Sequence, residues 1–193
     1  LPDELAKVFP YYLSHASKDE LRKRIEGYPN DRNFFATSWD GPAEPLQGDG
    51  WNGFIKIDFQ SGTRIELGGI VISNSCDIDP QNRSISNRNI IFAPIIALDD
   101  YAARLRGLSS DKVSGHLDAI RTQQKTDLFY LPASKRTPEA VVRFDDISSQ
   151  PLSVFVNYKD RERLFRLNTY GFYVFLMKVS IHFTRFGEAL DRQ

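Results

Sequence analysis

Short runs of β-branched and aromatic residues, separated by clusters of turn formers, fill the middle of this chain, while helical spacings mark its two ends. Gly68-Gly69-Ile70-Val71-Ile72-Ser73 and Asn89-Ile90-Ile91-Phe92-Ala93-Pro94-Ile95-Ile96 are apolar runs bounded by loop formers, the form of buried strands. Residues 54–59 alternate apolar and polar and predict a further strand, closed by a turn over residues 60–63. Residues 64–67 then lead into the strand at 69–73. Strand character returns at 128–131, at 140–144 and more weakly at 152–156, and one more short strand is expected at 34–38. Between the two apolar runs lies a polar loop over residues 80–88 that carries two arginines.

Helices are expected outside this block and within one interruption of it. Ser17-Lys18-Asp19-Glu20 has the form of a capping box, Leu21 and Ile25 share a face, and Gly27 with Pro29 stops the helix. An earlier helix over residues 3–9 ends at Pro10. Asp99 and Asp100 sit well at a helix start, and Ser109-Ser110-Asp111 caps a second helix with Val113, Leu117 and Ile120 on one face. Residues 170–186 are apolar over most of a helical circumference, which predicts a C-terminal helix buried against the sheet. The expected organisation is one domain. It has a helical and irregular extension over 1–50, a β-barrel over 51–160 with a helical insertion over 99–126, and a C-terminal helix within 161–193.

Composition narrows the function classes only a little. The chain has 193 residues, 41% hydrophobic and 26% charged, which is ordinary for a soluble globular protein. Gly171, Lys178, Ser180, His182 and Arg185 interrupt the longest apolar stretch, so no membrane span is expected. With no leader visible and a single cysteine, a reducing, cytoplasmic setting is expected. Twenty-five basic residues balance twenty-five acidic ones, which argues against a uniformly basic nucleic-acid binder while leaving room for a local patch.

The order of the strands resembles the PemK/MazF-like toxins. Gly53-Phe54-Ile55-Lys56-Ile57-Asp58-Phe59 is similar to the strand that opens that family, Gly68 to Asn74 falls in the place of its second, and Ala93-Pro94-Ile95-Ile96 corresponds to the end of its third. Val141-Val142-Arg143-Phe144-Asp145-Asp146-Ile147 is similar to a later one. The resemblance covers roughly residues 53–156. It implies an α+β fold built on an SH3-like β-barrel, with the N-terminal helical region, the helical insertion and the buried C-terminal helix as additions. It also implies a toxin-like protein that contacts RNA and forms a homodimer. The family's catalytic arginine stands where this chain has Gly68, and its catalytic threonine corresponds to Ile96, so ribonuclease chemistry does not carry over. Arg64 is the cation nearest upstream.

Three sets of residues are candidates for chemistry. Arg64, Arg83 and Arg88, with Asn89 beside them, suit phosphates and base edges, and as single residues they equally suit solvated surface positions. Ser73, Ser75, Cys76, Asp77 and Asp79 follow a core strand and organise the loop, with Asp77 expected to act as a fixed acceptor. Cys76 is expected to be a mostly buried structural thiol, because the neighbouring acids raise a thiol's pKa and His15, His116 and His182 lie on predicted helices. Asp77 and Asp79 lack the glycine-containing signature of calcium loops, so neither a metal nor a cofactor is predicted. Arg161, Arg163 and Arg166, just before the last helix, pair with acids, stay solvated or extend the basic patch.

Three readings remain open: a toxin-like barrel that binds RNA or DNA without the standard ribonuclease activity, a docking scaffold for a protein partner, and an enzyme centred on Cys76 and Asp77.

Overall fold

In the computed structural model, residues 15–38, 44–79, 81, 88–105, 107 and 109–184 are described. The apolar runs form the strands β1 (Gly50–Ile57), β2 (Arg64–Val71) and β3 (Asn89–Ala97), an antiparallel meander. β4 (Leu128–Leu131), β5 (Ala140–Arg143), β6 (Ser148–Pro151) and β7 (Arg163–Phe165) complete a seven-stranded antiparallel sheet of order β4-β5-β3-β2-β1-β7, with β6 also on β3. The helices are α1 (His15–Glu26), α2 (Leu98–Ala103), α3 (Ser110–Arg121), α4 (Leu152–Val156) and α5 (Thr169–Thr184), which makes the fold α+β.

β3 organises the sheet. On one edge it meets β2, with Ala93 opposite Ile70; on the other, its first half pairs with β6 and its second with β5. Ile95 faces Val142 and Phe92 faces Ser148, so three steps along β3 match six along its neighbour. The surplus is taken up by the 3-10 turn Phe144–Asp146, which drives Phe144 into the core. Phe54 is stacked between Phe92 and Phe155, with ring centroids 4.2 and 4.4 Å away, in a core shared with Trp51, Ile78 and Ile90. A second core lies under α1 and α5, where Phe34, Phe129, Phe144, Tyr170, Val174 and Phe175 meet. A third lies under α2 and α3, around Leu98, Ile120, Leu128 and Val141.

Several elements differ from the sequence expectation. The helix expected at 3–9 lies outside the described residues. Ser17 falls inside α1 instead of ahead of it, so it does not occupy the cap of that helix. Residues 34–38 make one bridge, Phe35 to Leu167, and no strand. The alternation at 54–59 overruns the strand: Asp58 Oδ1 accepts hydrogen bonds from Gln60 N and Ser61 N at 3.0 and 2.7 Å, turning the chain and leaving Phe59 95% exposed. Residues 152–156 form a helical turn, because Pro151 sets its start and Leu152 and Phe155, three apart, share the buried face. β6 and β7, too polar and too short to read from pattern, were not expected. The helical insertion is realised as α2 and α3. Ser109 stands at the cap of α3 without a side-chain hydrogen bond to it. Among the described residues no helix is long and apolar enough to cross a membrane.

Candidate functional site

The end of β2 is the first place to look, and it is held by its own polar side chains. Ser73 Oγ accepts from Ile91 N at 2.8 Å, Asn74 Oδ1 from Cys76 N at 2.9 Å and Asp79 Oδ1 from Gln81 N at 2.8 Å. Ser75 Oγ accepts from Gln47 N at 2.9 Å, which ties the turn to the segment before β1. Arg88 donates to the main-chain oxygen of Asp77, so the acceptor in that contact is the carbonyl and not the expected carboxylate. Cys76 is exposed, contrary to the buried thiol expected, because Ile78, 1% exposed, is the residue that anchors this turn in the core. The adjoining cleft, about 350 Å³, is lined by Glu44, Leu46, Ser75, Cys76, Asp79 and others, and among the described residues its charged groups are the two carboxylates. No group of three His, Cys, Asp or Glu residues placed to hold a metal occurs among the described residues.

Arg64 and Arg88, the described basic candidates, do not converge. Arg64 opens β2 opposite Ile57 and is exposed. Arg88 and Asn89 stand at the start of β3, beyond the Val71–Phe92 pair at the other end of β2. At about 3.3 Å per residue the two ends of β2 are roughly 23 Å apart. Arg83 lies outside the described residues. The two positions aligned with the toxin's catalytic pair also have separate surroundings. A side chain at Gly68 would face Asn52 and Leu164, whereas Ile96 packs into the core under α2 and α3.

Sequence reasoning missed the partner of the three arginines before α5. Asp49, 1% exposed at the entry to β1, accepts two hydrogen bonds from Arg166, both at 3.0 Å, and lies 3.5 Å from Arg163 Nε. Arg163 and Arg161 are 4.7 and 5.4 Å from the Trp51 ring centroid, so one carboxylate and one indole gather three cations. Burial lowers the Arg163 pKa. These arginines are packed into the protein and serve its architecture.

A cleft of about 480 Å³ opens between residues 35–38 and the β4–β5 turn, over Leu164 and Phe165 of β7. Ser134 fixes that turn: its Oγ accepts from Arg136 N and Thr137 N at 3.1 and 3.0 Å and pairs with Thr137 Oγ1 at 2.8 Å. Lys135 and Arg136 lie on that turn, and among the described residues no other charged side chain lines the cleft. Phe35 forms part of one wall, its ring 5.1 Å from that of Phe165, with the hydroxyls of Thr37 and Ser38 beside it. The nearby acid, Glu139, is turned to other partners. Arg121 Nη2 donates to it at 3.1 Å and Tyr130 Oη donates as well, and these bonds, working against burial, hold its carboxyl below the usual carboxylate range. Burial and the same bond push the Tyr130 hydroxyl up to about 12. A second cleft of about 210 Å³, lined by Ile95, Ala97, Leu131, Thr137, Pro138 and Ala140, shares Arg136, Leu164 and Phe165 with it. The legible signal was Ser134-Lys135-Arg136-Thr137-Pro138, two adjacent cations in a turn between two predicted strands.

No protein-family model and no curated protein matches this sequence. Among solved structures, the chain is similar to one in the crystal structure of MazE-MazF (form II) from Deinococcus radiodurans, at a TM-score of 0.37 and 12% identity over 72% of this chain and 94% of that one. That structure carries the name of the family that the strand motifs resemble.

Proposed function

We propose that the protein is a toxin-like SH3-like barrel that binds single-stranded RNA or other nucleic acid through the groove bearing Lys135 and Arg136, without the toxin family's ribonuclease activity. One observation carries this reading: among the described residues, the cleft of about 480 Å³ is lined by two cations, by no carboxylate and by an aromatic wall, the combination by which single strands are held through phosphate and base. The barrel reading draws support from β3, which serves two sets of neighbours, and from Ile55 N, which donates across to Gln150 Oε1 at 2.6 Å, so that β6 lies close to β1 as well as β3. The absence of cleavage follows from Gly68 and Ile96, which offer neither a charge nor a proton to the scissile phosphate.

Titration of labelled RNA single strands over a range of salt tests the reading. Affinity should fall with salt by a log–log slope of about 0.7 per phosphate neutralised, and replacing Lys135 and Arg136 together with alanine should flatten the slope by about 1.4. Arg64→Ala should leave it nearly unchanged, and the RNA should run intact on a gel. If no strand binds at low salt, the reading fails. The second reading, docking of a protein, then takes its place, on the strength of the apolar β1–β2 tip where Phe59 stands 95% exposed beside Ile57 and Ile65.

A further inference from the structure

We propose that the side chain of Gln123 closes one edge of the sheet against a second copy of this chain, standing where a neighbouring strand would pair with β4. β4 is the terminal strand of the sheet, and its sequence Leu-Phe-Tyr-Leu is buried throughout and carries no charge or proline to discourage pairing. Its main-chain edge is nevertheless occupied. Gln123 Oε1 accepts from Tyr130 N at 3.1 Å and Gln123 Nε2 donates to Tyr130 O at 2.8 Å, so one side-chain amide makes the exchange of bonds found between paired antiparallel strands. The opposite edge is covered by main chain instead. Ala36 N donates to Arg166 O at 2.9 Å and Asn168 N to Phe34 O at 2.8 Å, where the chain runs on from β7. The backbone at Gln123 suits a glycine. Gln123 N donates to Ile120 O at 2.8 Å and Gln124 N to Ala119 O at 2.9 Å, the two bonds with which a left-handed residue ends a helix, here α3. With a φ of 60°, Gln123 is the one non-glycine residue in that region among the described residues. Glycine would end α3 with less strain, but it would leave the main-chain groups of Tyr130, a residue 2% exposed, without this partner. Lys178 Nζ, donating to Gln123 O at 2.9 Å, holds the residue in place. The occupant excluded is an identical strand. Two copies of β4 set antiparallel about a two-fold axis at Tyr130 would exchange N–H and C=O between the two tyrosines, the same groups that Gln123 engages within one chain.

Gln123→Gly and Gln123→Asn both tolerate a left-handed backbone and both lose the reach to Tyr130, so they open the edge without adding strain. Size exclusion with light scattering, over a range of protein concentration, should show the mass of each variant rising to about twice that of the wild type. Amide hydrogen exchange locates the contact. At low concentration Tyr130 N–H should exchange about ten-fold faster in the variants than in the wild type, and at high concentration its protection should return. Variants whose mass follows the wild type at every concentration overturn the proposal, and so does association that leaves Tyr130 N–H fast. The wild type supplies a test of its own. Protection of its Tyr130 N–H should be independent of concentration, and a dependence would show a second copy already paired with β4 and overturn the blocking role. That measurement needs no variant, so a misfolded one would not shield the proposal.

Discussion

Asp49 is buried where the chain enters β1, and it takes hydrogen bonds from Leu46 N at 3.2 Å and from both ends of the Arg166 fork. Its removal takes the buried carboxylate from between two largely desolvated guanidinium groups, which costs far more than an exposed ion pair is worth. Asp49→Ala is therefore expected to lower stability by about 3–5 kcal/mol, read from urea unfolding curves. A loss below about 1 kcal/mol would show that the arginines repack without it. The contact spans 117 positions, and Asp49 lies in a stretch that reads as irregular loop, so no local pattern marks it. The same limit explains Cys76. Residue type predicts burial, but whether Cys76 or Ile78 turns inward is decided by the geometry of a turn held through Asn74 and Ser75. Arg163 and Arg166 were legible as cations that need a partner; which acid they would find was not.

At the scale of elements, α5 is locked in place through its first turn. Asn168 Oδ1 accepts from Gly171 N at 2.9 Å, the geometry of an N-cap, while Asn168 Nδ2 donates to Asn33 O at 2.8 Å and to Phe35 O at 3.2 Å. Gly171 permits this approach, since a Cβ there would lie 2.4 Å from Phe34 O and 2.9 Å from Phe34 Cα. In an isolated helix Gly→Ala gains about 1 kcal/mol, but here the clash with backbone outweighs the gain. Gly171→Ala should destabilise the protein by about 2 kcal/mol or more, measured as a fall in the urea midpoint. An unchanged or raised midpoint would mean that α5 can shift freely from Phe34. Because residues 35–38 form one wall of the groove, the same variant should also weaken RNA binding. The long apolar and periodic elements β2, β3, α3 and α5 were legible because burial on one or both faces writes itself into the sequence. β6, with the sequence Ser-Ser-Gln-Pro, was not, since its place is set by pairing with β3 and by a turn that no propensity announces.

Across the whole molecule, Lys178 joins the C-terminal helix to the helical insertion. It is 2% exposed, and its Nζ donates to Gln123 O at 2.9 Å and to Lys125 O just after α3. Burial lowers its pKa from 10.5 to about 8, partly offset by Asp127. The unfolded chain holds this proton more tightly than the folded one, so between about pH 8 and 10.5 unfolding takes up a proton and the contribution of Lys178 to stability rises with pH. Comparing melting temperatures of wild type and Lys178→Met across that range should show the wild type gaining on the variant as pH rises. Parallel curves would mean that the amine titrates as it would in water. The double-sided pairing of β3 has a consequence for the protein's birth as well. As the chain leaves the ribosome, β1, β2 and β3 can close into a meander while the second edge of β3 stays open, because its partners in β5 and β6 begin only at Ala140. At about 5–20 residues per second, that unpaired, Ile-rich edge waits several seconds on every polysome, in the company of identical nascent chains. Synonymous codons between β3 and β5 thus set how long neighbouring copies have to find one another before each chain finds itself.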